Sequence, residues 1–235
     1  MQQGSHSQPG ADKKIIARIS AFLARHGKAL VIVLILAAVA LITLFVTLTV
    51  RSNRIEASLI AVEQLQSDYY DWQGLGPDEQ TAGYPDLHAE TEALVADYPR
   101  VYAASRALLI DAEALFALER YQESAGQYAA LADRFPESYM APLGLIGAAV
   151  ASENAGDTDS ALQYFTRVVD DYGDTSHDAA RALFSIGRIH ETRDEIADAE
   201  HYYNQLIQDY PTSTWTDLAR TRIISLTAEG RIGGT

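Results

Sequence analysis

The chain has 235 residues, with 18 Lys plus Arg against 32 Asp plus Glu, a formal net charge of −14. That balance repels phosphate and excludes a whole-chain nucleic-acid binder. At 48% hydrophobic and 21% charged the composition is that of a folded protein. With no Cys at all, disulfides, thiolate metal sites, a cysteine nucleophile and acylated-cysteine anchoring are ruled out.

Residues 1–11, with Gly4, Ser5, Ser7, Pro9 and Gly10, read as a disordered tip. Residues 12–28 place Ile15, Ile16, Ile19, Phe22 and Leu23 at helical spacing among Lys13, Lys14, Arg18 and Arg25. This is a basic amphipathic helix, read as lying on an anionic leaflet or docking on a membrane partner, with a plain topology signal as the alternative. From Ala29 to Val50 no charge interrupts a run of Leu, Ile, Val and Ala. A helix of that length reaches roughly 33 Å, enough for a hydrocarbon core of about 30 Å. The run is too long for the apolar part of a cleaved signal peptide, so residues 29–50 are read as a transmembrane helix.

Five basic residues precede this span, and Arg51 and Arg54 follow it. Because Lys and Arg are retained on the cytoplasmic side, the N-terminus is expected to be cytoplasmic and residues 51–235 to lie across the membrane. All lysines are in the N-terminal segment. Residues 51–235 carry 13 arginines against 31 acids, a charge suited to life away from an anionic lipid surface.

Beyond the span the sequence repeats. Asp97-Tyr98-Pro99, Arg134-Phe135-Pro136, Asp171-Tyr172-Gly173 and Asp209-Tyr210-Pro211 recur in register. Counting back from the last three, an aromatic (Tyr128, Phe165, Tyr203), an aliphatic (Leu131, Val168, Leu206) and a small residue (Ser124, Ala161, Ala199) recur at fixed offsets. The first segment matches in part, with Leu87, Thr91 and Leu94. Each unit reads as a helix hairpin in which small residues such as Gly187 and Ala199, or Ala149 and Ala161, let two backbones approach. Gly156 stands at a turn that calls for a left-handed backbone. Residues 51–100 are expected to form an atypical first hairpin, 55–70 and 85–98, with a long connection from Trp72 to Asp86. Residues 101–212 supply three repeats. Residues 213–235 give a solvating final helix, begun by Thr214 and Asp217 at capping-box spacing, and a tail.

This pattern resembles the tetratricopeptide repeat family in a degenerate, lengthened form, over roughly residues 101–211. No Trp fills the first motif position, and Ser124 replaces one packing alanine. The resemblance implies an all-α fold in which one transmembrane helix precedes a right-handed α-solenoid of tetratricopeptide-like hairpins. With the stretch Ala21-Phe22-Leu23-Ala24-Arg25-His26-Gly27-Lys28-Ala29-Leu30, the whole is similar to the family of ancillary Sec translocon subunits of bacterial inner membranes. That resemblance implies a bacterial inner-membrane location, a periplasmic repeat domain, and translocon subunits and periplasmic chaperones as partners. Repeat proteins of envelope assembly and cell division share the Tyr-Pro-ended units.

No catalytic, cofactor or metal site is legible. His190-Glu191 opens like a zinc-protease motif, but Asp194 stands where the second histidine belongs, and His190 takes a packing position of the repeat. Gly74 and Gly76 lack a third glycine and a preceding strand. A membrane-tethered enzyme would need a polar constellation that the sequence does not display, so a non-enzymatic scaffold is expected. Its candidate partner-binding face, formed by the first helix of each hairpin, carries Arg106, Leu109, Glu113 and Phe116, then Ile146, Val150 and Asn154, then Phe184, Arg188 and Glu191. The alternative for Leu109, Ile146 and Phe184 is inter-repeat core.

Overall fold

The computed structural model describes residues 9–233. All its regular elements are helices: α1 (Pro9–Gln73), α2 (Pro77–Asp97), α3 (Tyr102–Ala117), α4 (Tyr121–Arg134), α5 (Ala141–Asn154), α6 (Thr158–Tyr172), α7 (Asp178–Thr192), α8 (Ile196–Asp209) and α9 (Thr214–Ala228). The chain divides into two compact units, one ending at Glu56 and the other beginning at Ala57.

In the first unit, α1 holds a stretch long and apolar enough to cross a membrane, none of it buried within the protein. Val31, Leu36, Leu41, Phe45 and Val50 all stand exposed, as lipid-facing side chains would. Of the expected disordered tip, residues 9–11 belong to α1, and residues 1–8 lie outside the described residues.

The second unit is a stack of hairpins, α3/α4, α5/α6 and α7/α8, closed by α9. The repeat register predicts its core. Ser124, Ala161 and Ala199 are wholly buried, as are Leu131, Val168 and Leu206, and Phe165 and Tyr203 join them. In the atypical first segment Leu87, Thr91 and Leu94 are buried at the same offsets. Ser124 stands where its neighbours have alanine because its hydroxyl donates to the Ala112 carbonyl across the hairpin at 2.8 Å, satisfying a buried polar group.

The hairpin turns share one device. Glu119, Gly156 and Asp194 each adopt a positive φ, of 58°, 80° and 63°, and the following amide reaches back to close the helix: Arg120 to Leu115, Asp157 to Ser152, Glu195 to His190. Gly230 repeats it after α9 at φ 71°. This is the six-to-one closure that usually recruits glycine. Glu119 and Asp194 hold the left-handed conformation against the clash of their Cβ atoms. Glu119→Gly is therefore expected to stabilise the unit by about 1 kcal/mol, read as a raised urea midpoint with unchanged slope.

The hairpin-to-hairpin joints explain the recurring Asp-Tyr signature. The Tyr172 hydroxyl donates to the Pro136 carbonyl at 3.0 Å, and Tyr210 to Gly173 at 2.7 Å, so each joint is clasped to the one before. Phe135 has no hydroxyl with which to do the same.

Two expectations need correction. The connection expected from Trp72 to Asp86 is only Gly74–Gly76, because α2 begins at Pro77 and continues through Pro85. Pro77 sits in the first turn, where no amide hydrogen is needed, and the Gly76 amide donates to the Glu79 carboxylate at 3.2 Å. Pro85 costs one helical bond, yet the flanking Tyr84 and Leu87 are both buried, so packing carries the helix past it. Trp72 ties the corner by donating from its indole to the Gln80 carbonyl at 2.8 Å. The second correction concerns α9. Its N-cap is Ser213, whose hydroxyl accepts from the Trp215 amide at 3.3 Å, and its outer face carries exposed Leu218 and Ile224 rather than a wholly polar surface.

Candidate protein-binding groove

A groove of about 270 Å³ opens on the side of the stack formed by the first helices. Its floor takes Leu109 and Phe116 from α3, Ile146, Gly147 and Val150 from α5, and Tyr128 from α4, with Leu143 at the rim. Phe116, Tyr128 and Val150 are half-buried and Leu143 is exposed, whereas Leu109 and Ile146 are buried beneath them. Gly147 makes the floor possible. A Cβ there would lie 2.5 Å from the Tyr128 ring, so only glycine lets the tyrosine lie flat along α5. Burial pushes the Tyr128 phenol up to about 12, and it is neutral at physiological pH.

Two charged groups border this surface, Glu113 from α3 and Arg181 from α7. Loss of water pushes the Glu113 carboxyl above the usual carboxylate range, with Arg106 and the Tyr69 hydroxyl pulling it back down. Arg106 is oriented from the other side by Gln66, whose amide oxygen accepts from its Nε at 2.9 Å and again from its Nη2. The raised Glu113 value has a definite sign. The folded state takes up this proton at higher pH than the unfolded chain, so the carboxylate costs stability above the folded value, and that cost vanishes as pH falls through it. Glu113→Gln is expected to be more stable than wild type at neutral pH, with the gap closing as the solution is acidified. Urea titrations across that range would show it.

Of the ten residues that the sequence places on the candidate face, Leu109, Glu113, Phe116, Ile146 and Val150 meet in this groove. Arg106 adjoins it through Glu113. Asn154 lies at the end of α5, its amide donating to the Val150 carbonyl at 2.8 Å. Arg188 is spent on an ion pair with Glu153 at 2.6 Å. Phe184 turns into the core between Tyr203 and Trp215, with ring centroids at 5.7 and 5.5 Å. Glu191 is nearly buried, accepts from the Tyr203 hydroxyl at 2.9 Å and pairs with Arg222. Tyr128, Leu143 and Arg181 were not on that face in the sequence reading. Leu143 and Arg181 differ by 38 residues, one repeat length, which is the signal that would have found them together.

Elsewhere the titratable groups serve the stack. Ion pairs of Arg167 with Asp133, Arg193 with Asp159 and Arg231 with Asp194 tie successive units. His190, Glu195 and Asp198 place donor atoms within 4.8 Å of one another, a set able to hold a metal ion. However, His190 Nδ1 already meets Glu195 at 2.6 Å and its ring stacks on Tyr202. Both carboxylates also lie at the N-terminus of α8, where the helix dipole favours an anion over a cation.

One polar cluster escaped the sequence reading. Asp111 of α3 is wholly buried and accepts from the Tyr84 hydroxyl at 3.0 Å, while His88 Nδ1 approaches it at the same distance. Both partners come from α2, and the Arg120 guanidinium covers the Tyr84 ring at 4.8 Å. The cluster pins α2 to the first repeat.

Comparison with known proteins finds the same kind of repeat. The tetratricopeptide repeat family matches residues 111–172 and again 146–214. No curated protein matches the chain. Among solved structures the chain is similar to BtubC (BKLC) from P. vanneervenii, at 9% identity and a TM-score of 0.40, over 78% of this chain and 93% of that one. On the family match, hairpins α3/α4, α5/α6 and α7/α8 form a tetratricopeptide-like helical solenoid, and over residues 111–214 the chain is similar to that family.

Proposed function

We propose that the protein is a membrane-anchored scaffold that binds protein partners through the groove on the first-helix side of its repeats. The observation that carries this reading is that half-buried Phe116, Tyr128 and Val150 and exposed Leu143 line one groove together, whereas other exposed apolar side chains of the unit, among them Tyr102, Tyr139, Leu218 and Ile224, lie outside it. A scaffold rather than an enzyme is favoured because the residues that line the groove carry two charged side chains, Glu113 from α3 and Arg181 from α7, among apolar ones, and pair no nucleophile with a base. The anchor is the apolar stretch of α1, with the N-terminus cytoplasmic and the repeats on the far side, on the strength of the five basic residues before the span.

The finer reading assigns the chain to the bacterial inner membrane as an ancillary component of the Sec translocon, linking it to periplasmic chaperones or their clients. It rests on the juxtamembrane stretch 21–30, the single apolar segment and the acidic repeat unit taken together. A role in envelope assembly or cell division uses the same groove with other partners. Photocrosslinkers placed at Val150, in the span, and at exposed Thr221 as a control would distinguish these. Adducts with translocon subunits or periplasmic chaperones from Val150 and the span, but not from Thr221, are expected. A reporter active only in the cytoplasm, fused after Thr235, should be silent, and strong activity would overturn the orientation.

A further inference from the structure

Arginine is scarce and mostly committed in the repeat unit. Residues 57–235 contain eleven arginines, and seven of them hold a carboxylate within ion-pair distance. With acids so much in excess, an arginine without one is the exception. Arg100 and Arg134 are exposed and solvated. The remaining two, Arg106 and Arg181, are half-buried, and both stand at the groove. Arg106 has the Gln66 amide. Arg181 has no hydrogen-bond or ion-pair partner among the described residues, although it lines a surface that is apolar apart from Glu113 and itself.

A guanidinium in that position has already lost part of its hydration. It would gain a planar, two-pronged contact from a carboxylate delivered by whatever fills the groove. We propose that the groove accepts an internal apolar segment of a partner protein carrying one aspartate or glutamate, whose carboxylate pairs with Arg181. This rests on the reading of the groove as a partner site and adds to it the charge of the partner.

The rest of the surface sharpens the choice. Glu113 stands on the α3 side of the floor, so an acidic residue is repelled there and the segment is oriented with its acid toward α7. A run of acids is disfavoured by the 31 Asp and Glu of residues 51–235, which leaves a single carboxylate among apolar side chains. Arg188, two turns further along α7, is already paired with Glu153 at 2.6 Å, so Arg181 is the arginine of that helix left to meet a partner's carboxylate.

The test uses the full chain in nanodiscs and a displayed library of short internal peptides. Wild type is expected to enrich peptides with one Asp or Glu among Leu, Val, Ile or Phe, and Arg181→Gln to lose the preference for the acid. In a binding cycle, Asp→Asn in the best peptide, made with acetylated and amidated ends, should weaken binding by roughly tenfold to wild type and hardly at all to Arg181→Gln. Val150→Asp should lose every peptide. Peptides enriched without an acid and still sensitive to Val150→Asp would overturn the Arg181 inference while keeping the groove. Enrichment of basic peptides would overturn it as well. No enrichment above that of Val150→Asp would overturn the groove reading together with it.

Discussion

His88→Leu is expected to destabilise the repeat unit by about 2–3 kcal/mol, because it leaves the wholly buried Asp111 carboxylate facing an apolar side chain. The figure lies below that for a fully buried pair for two reasons. The His88 side chain is 38% exposed against 0% for Asp111, and the Tyr84 hydroxyl continues to donate. Burial alone already holds the Asp111 carboxyl above its ordinary value, with the hydrogen bonds from His88 and Tyr84 acting the other way. Removing His88 raises it further. A raised acid binds its proton more readily folded than unfolded, so the deficit of the variant should shrink as pH falls through the folded value. The double variant His88→Leu/Asp111→Leu removes the charge with its partner and should recover most of the loss. Urea unfolding of residues 51–235 at neutral and acid pH reads both effects. A constant deficit across pH, or a double variant worse than the single, would mean that Asp111 is not the charge His88 serves.

This cluster was invisible in the sequence for a physical reason. Tyr84 and His88 lie 27 and 23 residues before Asp111, a separation that matches no local motif, and α2 was itself obscured by Pro85. The repeat register was legible because close helix approach demands small residues and aromatics at fixed offsets, and those positions are the buried ones. The turns were half legible. Gly156 announces a left-handed backbone, but Glu119 and Asp194 adopt the same conformation without any compositional sign, held there by the helices they join. The groove was legible only as a helix face. Helical spacing put Phe184 in register with Leu109 and Ile146 and left groove and core both open for the three, and Trp215 on α9 is what draws Phe184 into the core. Likewise Glu191 looked available until Arg222 arrived from α9.

The closest approach within the α7/α8 hairpin gives the other large effect, and one in which the sign itself is diagnostic. A Cβ on Gly187 would lie 2.7 Å from the Tyr203 ring. That ring cannot slide away, since its hydroxyl is tied to Glu191 at 2.9 Å and its edge meets Phe184. Gly187→Ala should therefore cost about 1–3 kcal/mol by overpacking, although alanine is the better helix former. Gly126, inside α4, has nothing within 4 Å of the same added atom, so Gly126→Ala should stabilise by about 1 kcal/mol. Ala199, wholly buried beside Leu183, Tyr203 and Leu206, extends the contrast. Ala199→Leu should cost about 1–3 kcal/mol, against no more than about 0.5 kcal/mol for Asp170→Leu at an exposed position of α6. Sliding the repeat by one residue would move Ala199 off the packing face and make its substitution as mild as that at Asp170. Two glycine-to-alanine changes of opposite sign, with Ala199 sensitive and Asp170 tolerant, are the pattern that only this register produces in urea unfolding.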